Sequence, residues 1–129
     1  MRILDHIEQT LERTPSLPFE VVFKGERAMI SYPEGGFTEM MESIEGILVM
    51  KHCMKSSGFK MSTKGIGEGV KLNYCIAGRL EVSMNDGRSF YLGPGELSVK
   101  TSTASEFSFP CGFYQGVEIF IHPSCLNTP

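Results

Sequence analysis

The sequence lacks an excess of positive charge. Its 12 Lys and Arg against 15 Asp and Glu give a net charge of −3, so the basic field behind most non-specific nucleic-acid affinity is missing. This chain is not expected to hold DNA by itself. A long apolar run is also lacking: the longest is the four residues Ile47 to Met50, against the roughly 18–20 that cross a bilayer. Near the N-terminus Arg2, Asp5, Glu8, Glu12 and Arg13 interrupt any signal-peptide core. A cytoplasmic protein with no membrane partner is expected. No two cysteines lie close together: Cys53, Cys75, Cys111 and Cys125 stand 22, 36 and 14 residues apart, with no C-x-x-C pair. That spacing matches no zinc pattern and is read as four reduced thiols. The 14 Gly and 7 Pro stay well below the roughly 25–30% share that marks a low-complexity chain. Internal repeats and charge blocks are absent too.

What is present reads as one domain over residues 1–129, a length that buries about two-thirds of its extended surface without staples. Ile3, Ile7 and Leu11, with Leu4, recur at helical spacing, which predicts an amphipathic helix over about 2–13. The period then changes to two. Phe19, Val21 and Phe23 alternate with polar or smaller residues, Lys24-Gly25-Glu26-Arg27 reads as a turn, and Met29 to Tyr32 is its partner strand. Residues Pro33 to Glu45 are read as a loop, and strands follow over Gly46 to Lys55 and Gly58 to Thr63. The glycines of Gly65, Gly67 and Gly69 lack the order of a nucleotide-binding turn and precede no helix, so this segment is also read as a loop.

Val70 to Lys100 is the most informative stretch. Leu72, Tyr74 and Ile76 alternate with Lys71, Asn73 and Cys75; after Gly78, Leu80, Val82 and Met84 alternate with Glu81 and Ser83. This describes two half-buried strands meeting at a glycine bend. Asn85-Asp86-Gly87 is a hairpin turn, Gly93-Pro94-Gly95 is a bend, and Leu97 and Val99 open the next strand. With Glu106 to Phe109 and Val117 to Ile121, the chain shows about nine or ten short strands over a barrel of about 19–122. Such spacing favours a closed or sandwiched all-β architecture.

These residues carry a resemblance. The run Lys71 to Val82 through Gly78, the Asp86-Gly87 turn and Tyr91-Leu-Gly-Pro94-Gly95-Glu96-Leu97 resemble the cupin core. From about Glu45 to His122, with Glu106-Phe-Ser-Phe-Pro110 and Gly116-Val-Glu-Ile-Phe-Ile121, the chain resembles the N-terminal sensor domain of AraC-type bacterial transcription regulators. The resemblance implies an all-β, cupin-like double-stranded β-helix, a jelly-roll barrel with a short N-terminal helix. It also implies a small-molecule effector in or at the mouth of the barrel, a homodimer, and contact with DNA only through a C-terminal helix-turn-helix domain that is absent from this chain.

Enzymatic cupins hold a metal with the patterns G-x5-H-x-H-x3/4-E-x6-G and G-x5-P-x-G-x2-H-x3-N. With the first pattern's last glycine on Gly78, its Glu falls on Lys71 and its His pair on residues 64 to 67, where no His stands. With the second starting at Gly95, its His falls on Glu106, and Thr101 and Thr103 replace Pro and Gly. A lysine ammonium has no lone pair for a cation. No catalytic residue, no metal and no cofactor are therefore expected, and the chain is read as a non-enzyme. The alternatives kept open are a divergent metal-dependent cupin enzyme and a non-catalytic protein-binding β-domain.

The candidate ligand-binding residues are His52, Met54, Lys71, Asn73, Phe90, Glu106 and Tyr114. His52 faces either a core, a pocket or solvent, on the opposite side of its strand from Cys53. Lys71 and Glu106, at two vacated ligand positions, either pair with each other or read a charged effector. Met29, Met50, Met54, Met61 and Met84 fill a core or line an adaptable pocket; Phe107 and Phe109 read as core, and Tyr114 as a mouth residue between Gly112 and Gly116. His6 is read as a surface residue and His122 as a strand cap. The helix and the Pro33 to Glu45 loop are the candidate moving parts, with the Ile3, Ile7, Leu11 stripe packing on the barrel or serving a dimer seam.

Overall fold

The computed structural model describes residues 2–14, 16–17, 19–55, 60–62, 69–84, 87–101 and 105–126, the side chains of 60–62 and 105–107 excepted. Its elements are α1 (Ile3–Glu12), β1 (Glu20–Lys24), β2 (Arg27–Ser31), β3 (Gly36–Ile44), β4 (Ile47–Met54), β5 (Lys60–Ser62), β6 (Val70–Gly78), β7 (Leu80–Met84), β8 (Ser89–Leu92), β9 (Leu97–Thr101), β10 (Ser105–Ser108) and β11 (Tyr114–Ile121), then a 3-10 turn (Pro123–Cys125). No described helix is long and apolar enough to cross a membrane.

The strands form two antiparallel sheets, a seven-stranded one in the order β1-β2-β3-β4-β11-β6-β9 and a four-stranded one in the order β5-β10-β7-β8. Turn chemistry directs this layout. The β1–β2 hairpin closes with Lys24 opposite Arg27 and Gly25 at φ +59°. Gly78, at φ +82°, is the bend foreseen between β6 and β7, and it carries the chain from the large sheet to the small one. A side chain there would also meet the backbone of Phe113 and Tyr114, so glycine is required twice over. The expected hairpin joins β7 to β8, with Ser83 opposite Ser89; its turn residues Asn85 and Asp86 lie outside the described part. The loop read over residues 64–68 lies outside it as well.

Ile3, Leu4, Ala28, Ile30, Met40, Leu48, Met50, Met54, Leu80, Val82, Leu92, Phe109, Tyr114 and Phe120 belong to one core cluster spanning both sheets and the helix. Of the helical stripe, Ile3 and Leu4 are buried and Ile7 packs on that cluster, so the stripe rests on its own barrel rather than forming a dimer seam. The helix begins without a side-chain cap of its own. Glu42 on β3 supplies one: its carboxylate accepts from the N–H groups of Ile3 at 2.9 Å, Leu4 at 2.8 Å and Gly46 at 2.8 Å. A buried anion thereby meets the positive end of the helix.

Three sequence expectations are corrected. Pro33 to Glu45 is a loop only over its first residues; from Gly36 it is the nine-residue strand β3. Its inward side chains include Thr38 and Glu42, and polar residues on a buried face erase the alternation by which a strand is recognised. Met29 is exposed, while its neighbours Ala28 and Ile30 enter the core. On β6 and β9 the alternation holds with the opposite sense: Lys71, Asn73 and Cys75 are buried, whereas Tyr74, Ile76, Leu97 and Val99 are exposed, Val99 by 62%. On the outer face Leu72 opposes Val99 and Ile119, Ile119 opposes Val49, and Val49 opposes Met41. An apolar row thus crosses five strands on the outside of the sheet.

Candidate functional site

The buried face of the seven-stranded sheet carries polar side chains in register. In one row Thr38 opposes His52 and His52 opposes Gly116. In the next, Met50 opposes Glu118, Glu118 opposes Asn73, and Asn73 opposes Ser98. In the third, Phe120 opposes Lys71, which opposes Lys100. Directly opposed side chains sit about 5 Å apart at Cβ, so Thr38, His52, Glu118, Asn73, Ser98, Lys71 and Lys100 form one contiguous polar patch inside the fold. Gly116 makes room for the Tyr114 ring, which occupies the space that a Cβ would take.

A hydrogen-bonded chain runs through the patch. Tyr32 Oη lies 2.6 Å from Thr38 Oγ1, Thr38 Oγ1 lies 2.9 Å from His52 Nδ1, and His52 Nε2 lies 3.1 Å from Glu118 Oε1. One assignment satisfies every link: the Tyr32 hydroxyl donates to Thr38, the Thr38 hydroxyl donates to Nδ1, and Nε2–H donates to the Glu118 carboxylate. Burial pushes the Tyr32 hydroxyl pKa upward, which keeps it a donor. At the outer end Tyr32 borders an open cleft of about 430 Å³ lined by Leu17, Phe19, Glu20, Ser31, Tyr32 and Pro33.

Lys71 Nζ, Asn73 Nδ2, Ser98 Oγ, Tyr114 Oη and Glu118 Oε2 are buried and have no hydrogen-bond partner among the described residues. Lys71 is 0% exposed, Asn73 2% and Glu118 6%. The Lys71 ammonium stands 6.0 Å from the centroid of the Phe120 ring, at the limit of a cation–π interaction. Burial lowers the Lys71 pKa, with the Glu118 charge opposing that shift. Burial, reinforced by the Lys71 charge, brings Lys100 down to about 8. Tyr114 is pushed up, first by burial and then by Cys75 and Glu118.

His52, Lys71 and Asn73 are thus brought together as sequence candidates. Met54 and Tyr114 lie on the same buried face. Tyr114 is not the mouth residue it was read as: it is 2% exposed and stacks on Phe109 at 5.2 Å, because Phe109 closes the core over it. Phe90 is half-buried on β8 against the core, and the Lys100 ammonium stands 6.0 Å from its ring centroid. The side chains of Glu106, Met61 and Phe107 lie outside the described part, so the pairing of Lys71 with Glu106 does too. Thr38, Tyr32, Glu118, Ser98 and Lys100 were missed by sequence reasoning. The available signal was that β6 and β9 carry Lys71 and Lys100 at facing register on the alternate set of positions. His6 is exposed, and His122 caps the 3-10 turn by accepting from Ser124 N–H. All four cysteines are free thiols.

The residues present do not fit a divalent cation. Both His52 nitrogens are engaged by Thr38 and Glu118, the inner face of β6 offers the ammonium of Lys71, which has no lone pair for a cation, and no three His, Cys, Asp or Glu side chains converge among the described residues.

No protein-family model and no curated protein sequence matches the chain. Solved structures do resemble it in three dimensions. A cupin 2 conserved barrel domain protein from Salinispora arenicola superposes with TM-score 0.56 at 10% identity, covering 73% of this chain and 82% of its own. An HTH_3 family transcriptional regulator from Vibrio cholerae gives TM-score 0.56 at 13% identity over 77% of this chain and 57% of the regulator. KdgF from Halomonas sp. gives TM-score 0.53 at 13% identity over 69% and 81%. The fold is therefore all-β and cupin-like, as the resemblance in the sequence implied.

Proposed function

We propose that this chain is a non-catalytic, ligand-sensing module of an AraC-type transcription regulator, taking a small-molecule effector on the polar inner face of its barrel. The observation that carries this reading is the set of five polar atoms on that face that have no hydrogen-bond partner among the described residues. Each costs about 1–3 kcal/mol when left unsatisfied, a cost that a ligand with matching groups removes. The cupin-like fold also occurs in the Vibrio cholerae regulator, whose remaining length leaves room for a DNA-reading part. In this reading DNA is contacted only through a helix-turn-helix domain outside this segment, and the module works in the cytoplasm as a homodimer.

Signal transfer needs two arrangements that the ligand binds unequally. Thr38 and Glu42 share one face of β3. Thr38 belongs to the inner polar chain and Glu42 holds the start of α1. An effector that displaces the Thr38 end of β3 thereby shifts the anchor of the helix, and α1 is the moving part.

A thermal-shift screen of the purified protein against metabolites and metal ions tests the proposal, because whatever binds the folded state raises its melting temperature. The expected result is stabilisation by a metal-free small molecule, lost in His52→Ala. Stabilisation by a divalent cation and reversal by a chelator would favour the enzyme instead. No response to any compound would leave a protein-binding domain.

A further inference from the structure

Two adjacent inward rows of β6, β9 and β11 leave donors and one acceptor without partners in a definite arrangement. Lys71 Nζ, Asn73 Nδ2 and Ser98 Oγ are all capable of donating and all unpartnered among the described residues; Asn73 opposes Ser98, and Lys71 lies two residues before Asn73 on the same buried face. Facing Asn73 across the β6–β11 pair is Glu118, whose Oε2 is an unpartnered acceptor.

A second observation concerns charge. Lys71 and Lys100 are directly opposed across β6 and β9, and like charges at facing positions destabilise a sheet. Glu118, the acidic side chain of the adjoining row, is already bonded to His52 through Oε1. Among the described residues, Glu118 is thus the carboxylate of the row next to the buried Lys71 ammonium, and it is shared with a histidine.

We propose that this end of the inner face is an anion subsite for a small carboxylic acid bearing a hydroxyl or amino group next to its carboxylate, the acid on Lys71, Asn73 and Ser98 and the neighbouring donor on Glu118 Oε2. The chemistry selects this class. A carboxylate offers about four lone-pair sites for converging donors, and its charge compensates the buried Lys71 ammonium. A doubly charged phosphate would face Glu118 at close range. A neutral polyol would leave the ammonium of Lys71 uncompensated, at the cost that attends any unpaired buried charge.

The inference rests on the ligand-sensing reading but fails separately from it. The probes are D-glycerate and L-lactate, which carry the adjacent hydroxyl, acetate, which lacks it, glycerol, the neutral counterpart, and inorganic phosphate. Melting curves of the wild-type protein and of Lys71→Met give the answer. In the wild type, glycerate or lactate is expected to raise the melting temperature by several degrees, acetate by less, and glycerol and phosphate not at all. Lys71→Met replaces the unpartnered ammonium by a side chain of similar length, so the free variant is expected to melt about 3–6 °C higher. Titration calorimetry of that variant is expected to give at least a roughly 10-fold weaker affinity for glycerate or lactate. Ser98→Ala, a milder change, is expected to weaken binding without altering the fold. Equal stabilisation by glycerol, an undiminished response in Lys71→Met, or silence from every carboxylate would overturn the anion subsite. Stabilisation by neutral metabolites alone would overturn it and leave the sensing reading standing; silence from the whole metabolite library would overturn both.

Discussion

Glu42 illustrates how much a single buried side chain holds in this molecule. Its carboxylate is 1% exposed and accepts three backbone N–H groups from α1 and from the β3–β4 turn. Glu42→Ala leaves three buried donors unmet and is expected to destabilise the protein by about 2–4 kcal/mol, with Glu42→Gln costing less because one amide oxygen still accepts. Urea unfolding of the two variants measures this. Loss of helical circular dichroism ahead of the main transition is the expected sign that α1 detaches first. Nothing in the sequence singled out this residue: a glutamate in an apparent loop is most often solvated, and its role depends on a helix forty residues earlier in the chain.

The β6–β9 pair sets the electrostatics at the scale of the element. Lys100 is brought down to about 8 by burial and by Lys71, below an ordinary value of 10.5. Between those values the unfolded chain binds more protons than the folded one, so stability rises with pH. Tyr32, Tyr114 and Cys75 act oppositely, since burial raises their pKa above ordinary values of 10.0, 10.0 and 9.0, and the unfolded chain loses those protons first. The rise is therefore cleanest between about pH 8 and 9. Melting temperatures across that window should climb in the wild type and climb less in Lys100→Met, where Lys71, itself lowered by burial, remains; a flat wild-type curve would remove Lys100 from the interior charge balance. The same pair shows what a sequence displays. Turn residues such as Gly25, Gly78 and Gly95 announce themselves, because positive φ excludes other side chains. The sense of an alternation does not: a strand of alternating character is consistent with either face inward. On β6 and β9 the polar face won, and three candidates of the site, His52, Lys71 and Asn73, were found without knowing that they shared it.

Across the whole molecule, the price of a polar interior is an apolar exterior. The row from Val99 through Leu72, Ile119 and Val49 to Met41, with Leu97, Tyr74 and Ile76 exposed beside it, is where the proposed homodimer would form, since an aliphatic row is complementary to its own copy. Val99→Glu and Leu97→Glu, on the solvent side of β9, should yield monomers by light scattering with little change in melting temperature. An unchanged mass would move the dimer contact elsewhere. The position of β11 has a further consequence. Late in sequence yet central in the large sheet, it lies between β4 and β6 and brings Glu118 to His52 across 66 residues. During synthesis β4 and β6 emerge from the ribosome well before the strand that joins them, with their edges unpaired in the interval. Assembly of the polar inner face is thus a late and concerted event in the life of the chain, one that chaperones guarding open strand edges are suited to accompany.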